Sequence, residues 1–385
     1  MDTEKNLQTF QAKELENVHW YGRNGDFDGG VALFWTASGF LANCNAKELW
    51  AQIEADYDTL EPWAGVWVNG AMIARFPLER RKKWYLLFRK PESALDKPFK
   101  IELLKDTQAM PGDEKHFVCV HALGVPKGFD KSAFLPISPF KAKIEFIGDS
   151  LTTGEGLAGA SSECDWGSPW ISVRTSYALM TARALSADWR FLSQSGWGVI
   201  SGWDNDQTSI LPPHYENVCS VAKGEKNESA GAKKANDFSK WQADFVVVNL
   251  GTNDFNAFRS PAKTALDGTV WKLRSESDGS LNKEDAKRFQ NGIKDFLSKI
   301  RRNNQNAQII WAYGMCSADF SEYIESAVEG FAKETKDTRI SFLLLPSMAG
   351  ESEEGRGSLF HPGPETHLKT SKALLSHIKF LEQIQ

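Results

Sequence analysis

The pattern of apolar and polar positions divides this chain in two. Up to about residue 135 the apolar residues come in short runs rich in Val, Ile, Phe and Trp, separated by turn formers, as in an all-β domain. Strands are predicted over residues 30–36, 48–55, 83–89, 99–104 and 116–122. The clearest pair is 63–68 and 71–76, joined by Asn69-Gly70. Both turn residues tolerate the positive φ of a two-residue type I′ hairpin. No convincing amphipathic helix interrupts these strands, which predicts a sandwich of jelly-roll type.

Leu135-Pro136-Ile137-Ser138-Pro139 reads as a linker, giving a β-sandwich (jelly-roll) domain over 1–137 and a second domain over 138–385. In the second, strands over 144–147, 189–192, 245–250, 309–313 and 340–344 alternate with helices over 176–185, 284–302, 320–335 and 365–384. That alternation predicts βαβ units: a parallel five-stranded sheet flanked by helices, an α/β/α layering. Residues 205–240 and 264–281 are polar and irregular. They read as excursions, the longer one at the sheet's ligand-binding end.

Composition adds limits. A chain of 385 residues exceeds a typical single core, in keeping with two domains. A formal charge of -5 with no basic stripe argues against a nucleic-acid partner. No stretch approaches 18 consecutive apolar residues, so no membrane span is expected. The polar start of the chain lacks an apolar signal region, which makes the cytoplasm the expected location, or the exterior if a signal peptide has been trimmed. Five cysteines (Cys44, Cys119, Cys164, Cys219 and Cys316) lie far apart without a CxxC, so neither a disulfide framework nor a zinc site is expected. Fourteen tryptophans suit a partner with flat apolar faces, such as a sugar ring, although most such rings belong to the core.

Candidate chemistry collects where strands end, because open α/β sheets bind ligands beyond the carboxyl ends of their strands. The first strand stops at Gly148-Asp149-Ser150, which alone is an ordinary turn. Gly196 follows the second strand, and Gly251-Thr252-Asn253-Asp254 follows the third. A glycine N–H and an asparagine amide are the neutral donors that an oxyanion needs, though each alone fits a turn residue equally well. His19, His116, His121 and His377 read as structural, and His214 as surface. His361, before Pro362 in a Gly-rich loop, can reach the same edge as a general base. His367 reads as a structural residue of the last helix's first turn. There is no G-x-S-x-G, P-loop or H-E-x-x-H.

Taken in order, Gly148-Asp149-Ser150, Gly196, Gly251-x-Asn253-Asp254 and His361-Pro362 resemble the four blocks of the SGNH (GDSL) hydrolase superfamily. The resemblance implies Ser150 as nucleophile, His361 as base, and an oxyanion hole of the Ser150 and Gly196 N–H groups with the Asn253 amide. A β-sandwich ahead of such a domain resembles carbohydrate esterase family 2. So do residues 63–76, Thr175-Ser176-Tyr177-Ala178, Ser195-Gly196-Trp197-Gly198 and Thr366-His367. This implies a serine esterase, with no metal or cofactor, that removes acetyl groups from plant polysaccharides or oligosaccharides of mannan, glucomannan or xylan type. Trp197, Trp166, Trp170 and Asp149 are the expected substrate contacts. Superfamily members often carry an aspartate two or three residues before the histidine, where this chain has Leu359 and Ser358. A Ser-His dyad served by a main-chain carbonyl is then expected, or a carboxylate recruited from elsewhere. Two other readings stand beside this one: a GDSL-type lysophospholipase or general acyl esterase, and an inactive sugar-binding protein.

Overall fold

Asn69 and Gly70 sit at φ 49° and 88°, as the hairpin requires, and join Trp63–Val68 to Ala71–Pro77 in antiparallel register. The computed structural model describes residues 6–94, 97–350, 352 and 355–383. Its first compact unit, running through Pro139, is a jelly-roll sandwich of two six-stranded antiparallel sheets. One sheet runs Asn24–Phe27, Gly30–Leu33, Phe117–Pro126, Glu48–Asp56, Lys82–Arg89, with Leu7–Gln11 also on Phe117–Pro126. The other runs Phe134–Leu135, Gly39–Cys44, Phe99–Lys105, Trp63–Val68, Ala71–Pro77, with Val18–Tyr21 on Gly39–Cys44. Glu48–Asp56 alternates strictly, and its buried Leu49, Ala51, Ile53 and Ala55 join Val66, Ile101, Leu103 and Val120 in the core. That is the period-2 pattern of a strand with one face buried.

Two of the expected features shift. The strand expected over 30–36 ends at Leu33. The excursion over 205–240 does not belong wholly to the parallel sheet, because Glu216–Asn236 and Gly167–Pro169 pack as part of the sandwich unit. Trp35 Nε1 donates to the Val218 carbonyl at 2.7 Å and Arg23 Nη1 to the Asn217 carbonyl at 2.8 Å. Lys226 Nζ bridges Glu54 and Asp56, each at 2.9 Å.

The second unit holds five parallel strands: β1 (Ala142–Gly148), β2 (Ala187–Ser193), β3 (Phe245–Asn249), β4 (Gln308–Tyr313) and β5 (Ile340–Leu344). Their order is β2-β1-β3-β4-β5. Among the described residues, six helices accompany them: α1 (Ser150–Thr153), α2 (Tyr177–Ala184), α3 (Thr252–Arg259), α4 (Lys283–Asn303), α5 (Ser321–Thr335) and α6 (Pro364–Gln383). Every residue of β3 and β4 is buried, as parallel strands covered on both faces must be. On α4, Phe289, Ile293, Phe296, Leu297 and Ile300 recur at the helical period and form its buried stripe. The register places the site. Gly148 pairs with Ser193 on one side and Asn249 on the other, so three strands end level. Ser150, Gly196 and Asn253 therefore follow on one edge.

Candidate active site

Strand β1 ends where Gly148 lets the chain turn tightly, since a Cβ there would lie 2.1 Å from Thr152 Oγ1. Asp149 then caps α1, its Oδ1 accepting the Leu151 N–H at 3.0 Å. Ser150 opens that single turn, so its N–H has no partner within the helix. Ser150 is 8% exposed, and its Oγ lies 2.9 Å from His361 Nε2.

On the other side of the ring, His361 Nδ1 lies 3.0 Å from the Leu359 carbonyl. A carbonyl oxygen only accepts, so Nδ1 carries the proton and Nε2 is left to accept from the Ser150 hydroxyl. The carbonyl thus stands in the aspartate's place. It is presented by an unusual turn: Leu359 at φ 56° and Phe360 at φ 59° are consecutive bulky residues in the left-handed region. Each costs about 1–2 kcal/mol. The turn is held by Leu359 N–H to the Glu163 carbonyl (2.8 Å), Gly357 N–H to the His361 carbonyl (2.9 Å) and Ser358 N–H to the Gly156 carbonyl (3.1 Å). Gly156 is required there, because it sits at φ 83° and a Cβ would lie 2.7 Å from the Ser358 carbonyl oxygen.

Gly196, at φ 79°, belongs to a loop fastened from below. Asp254, wholly buried on α3, accepts the N–H groups of Val199 (2.8 Å), Ile200 (2.8 Å) and Ser201 (3.2 Å). Burial pushes its carboxyl up to about 6 against those three bonds. Asn253 is 6% exposed, and its Nδ2 donates to the Trp197 carbonyl at 2.9 Å and to Asp149 Oδ2 at 3.2 Å. Both amide hydrogens are engaged, so an oxyanion would take one of them over; the longer bond, to Asp149, is the weaker.

Asp149, expected among the substrate contacts, is instead wholly buried and braces Asn253 from beneath. Burial pushes its carboxyl up to about 7, with the charges of Asp254 and Glu155 adding to the rise. Trp197 is also mostly buried, at 9% exposure, its ring centroid 5.1 Å from that of His214. His214 is accordingly half-buried rather than a surface residue. Trp170 is half-buried, its Nε1 donating to the Asp165 carbonyl, while Trp166 is exposed. Sequence reasoning passed over two exposed rings that neighbour Gly196 and His361. Trp203 is 55% exposed, and its Cδ1 lies 3.2 Å from where a Gly196 Cβ would stand; Phe360, beside His361, is 71% exposed. A tryptophan flanked by Gly202, Asp204 and Asn205 has no apolar run to join, a signal that could have found it. His367 is wholly buried, and its Nδ1 accepts the Tyr177 N–H at 3.0 Å. Burial drives its pKa down to about 3, so it stays neutral, as expected of a packing residue. Among the described residues, no three His, Cys, Asp or Glu side chains are grouped to hold a metal ion, and no helix is long and apolar enough to cross a membrane.

A hydroxyl held by a tautomer-fixed imidazole, with donor-bearing loops from adjacent strand ends beside it, is an arrangement for acyl transfer. On a β2-β1-β3-β4-β5 sheet it defines an SGNH-type hydrolase domain. Residues 146–369 match the GDSL-like lipase/acylhydrolase family, and the chain belongs to that family. An acetyl xylan esterase, Est2A, from the rumen bacterium Butyrivibrio proteoclasticus is 37% identical, with a TM-score of 0.93 over 98% of this chain and 99% of that one. The cellulase/esterase CelE of Acetivibrio thermocellus is 26% identical over 92% of this chain. This chain spans only 39% of CelE's length. A family two carbohydrate esterase from Clostridium thermocellum, solved with cellohexaose, shares the fold at 23% identity, with a TM-score of 0.74 over 95% of this chain and 99% of its own.

Proposed function

We propose that this chain is a carbohydrate O-acetylesterase acting on acetylated plant oligosaccharides or polysaccharides. The observation that carries this reading is the Ser150 Oγ to His361 Nε2 contact of 2.9 Å, with the Leu359 carbonyl on Nδ1. His361 takes the Ser150 proton as Oγ attacks the acetyl carbonyl. The N–H groups of Ser150 and Gly196 and the Asn253 amide receive the oxyanion. His361 then passes the proton to the departing sugar oxygen, and water resolves the acetyl-enzyme by the same route.

The saccharide part is supported by the exposed rings of Trp203, Trp166 and Phe360 on the hydrolase unit, since an aromatic face suits a sugar ring. It is supported too by relatives described as acetylxylan esterases and glucomannan deacetylases. The test is acetate release, followed by NMR, from acetylated xylan, glucomannan and their oligosaccharides, with Ser150→Ala as control. Ser150-dependent release is expected. Activity that rises along a series of longer acyl esters, with none on acetylated saccharides, would move the chain to the lysophospholipase reading.

A further inference from the structure

The Leu359 carbonyl leaves the reaction short of charge. It fixes the tautomer of His361, but it is neutral, and among the described residues no carboxylate stands on the Nδ1 side as counter-ion of the imidazolium formed at each proton transfer. Among the described residues, one acidic side chain fits that need and has no other evident task. Glu155 lies five residues after Ser150, with its N–H on the Ser150 carbonyl at 3.0 Å. Gly154 and Gly156, at φ 82° and 83°, flank it and turn the chain back on itself. Neither neighbour tolerates a side chain, because a Cβ would lie 2.1 Å from the Ser172 carbonyl oxygen at Gly154 and 2.7 Å from that of Ser358 at Gly156. Glu155 is thereby directed inward. Its side chain is 6% exposed, with Oε1 3.9 Å from His361 Nε2. Its Oε2 is buried with no hydrogen-bond partner among the described residues.

A buried carboxylate with a free oxygen destabilises a fold, so packing does not explain it. We propose that Glu155 is a positioning residue for the esterase reaction, acting through His361: its carboxylate supplies the negative charge for the imidazolium from the Nε2 side, while the Leu359 carbonyl holds the tautomer from the Nδ1 side. The inference rests on Ser150 and His361 being the reacting pair. No bond beyond those of the acyl transfer is made or broken. The proton taken from Ser150 stays on Nε2, facing both the departing oxygen and Glu155 Oε1, until the departing oxygen accepts it.

Among the described residues, the ionisable groups facing His361 are Glu155 and His367, which is held neutral. Of these, Glu155 is the one at ion-pair distance from the His361 ring. The test compares Glu155→Gln and Glu155→Asp with the wild type in three measurements. These are the His361 imidazole titration by NMR without substrate, the pH profile of kcat/KM on an acetyl ester, and the melting temperature. An opposite charge within about 4–6 Å favours the charged form of an ionisable group. Glu155→Gln should therefore move the acid limb of the profile to lower pH and reduce kcat about 10- to 100-fold with KM little changed. Glu155→Asp should restore part of each effect. The melting temperature of Glu155→Gln should hold or rise. An unshifted His361 titration overturns the proposal. So does a raised KM with kcat preserved, which would make Glu155 a substrate contact. The esterase reading fails by a different result, namely no Ser150-dependent turnover in the wild type, and the titration still decides the role of Glu155.

Discussion

Replacing Asp149 with asparagine separates what this carboxylate costs the fold from what it does for the site. Asp149 is wholly buried, and burial raises its pKa from 3.8 to about 7. A carboxyl whose folded pKa lies above its unfolded value contributes stability that is complete below the unfolded pKa and lost as pH rises through the folded one. Three units at about 1.36 kcal/mol each make that loss about 4 kcal/mol between pH 4 and pH 8. Asparagine mimics the protonated acid and does not titrate. Asp149→Asn should therefore match the wild type near pH 4 and exceed it by up to about 4 kcal/mol at pH 8. Differences in denaturation midpoint, at equal m-values, read this directly; groups distant from Asp149 cancel between the two proteins, while Asp254 and Glu155, coupled to it, contribute to the same difference. Activity should move the opposite way. Asp149 accepts from both Leu151 N–H and Asn253 Nδ2, and an asparagine has one acceptor oxygen for the two. With Asn253 held by the Trp197 carbonyl alone, its amide is less well aimed, and kcat should fall by up to roughly 10²–10³, the cost of one oxyanion donor. A stability difference that stays flat with pH, or a variant that keeps its kcat, refutes the reasoning.

Asp254→Ala leaves the N–H groups of Val199, Ile200 and Ser201 without their acceptor, so the Gly196 loop should slacken and kcat fall roughly 10²-fold or more with KM nearly constant, measured on a nitrophenyl acetate. Trp203→Ala should raise KM for acetylated oligosaccharides while leaving small esters unaffected, whereas Trp197→Ala, removing a buried ring, should cost about 3–5 kcal/mol of stability, read from thermal melts. His361→Ala should lose about three orders of magnitude in kcat at an unchanged melting temperature. His367→Ala should instead melt earlier, because the Tyr177 N–H loses its acceptor.

What the sequence made legible was local. Asn69-Gly70 specifies its turn by residue type, and the parallel strands announce themselves as short apolar runs between helical periods. Gly39–Cys44 went unread because GFLANC carries glycine, asparagine and cysteine where strands favour branched and aromatic residues. It is held by Phe99–Lys105, some sixty residues away, a partner that no local window contains. The attachment of Glu216–Asn236 to the sandwich was equally hidden, since Trp35 and Arg23 bind backbone carbonyls, and any residue supplies one. At the site, the order of the blocks singled out Ser150, Gly196, Asn253 and His361 as candidates. The burial of Asp149 under Asn253 depends on helix α1 starting one residue after it, which composition does not reveal.

The missing aspartate is a different case, because its replacement has no residue type at all. A main-chain carbonyl can come from any residue, so the sequence records only that Leu359 and Ser358 stand where an acid is usual. The structure shows how the site obtains it, through two consecutive left-handed residues that few turns would accept. That strain has a physical return. Asp149 is already raised by burial and by the neighbouring charges of Asp254 and Glu155. An aspartate at the Leu359 carbonyl's position would add a fourth carboxylate to this cluster, and like charges held close disfavour each other's ionisation. A carbonyl selects the same imidazole tautomer without adding charge. With Glu155 at 3.9 Å from Nε2, the absence of an acid before His361 and the presence of one after Ser150 become two halves of one electrostatic solution.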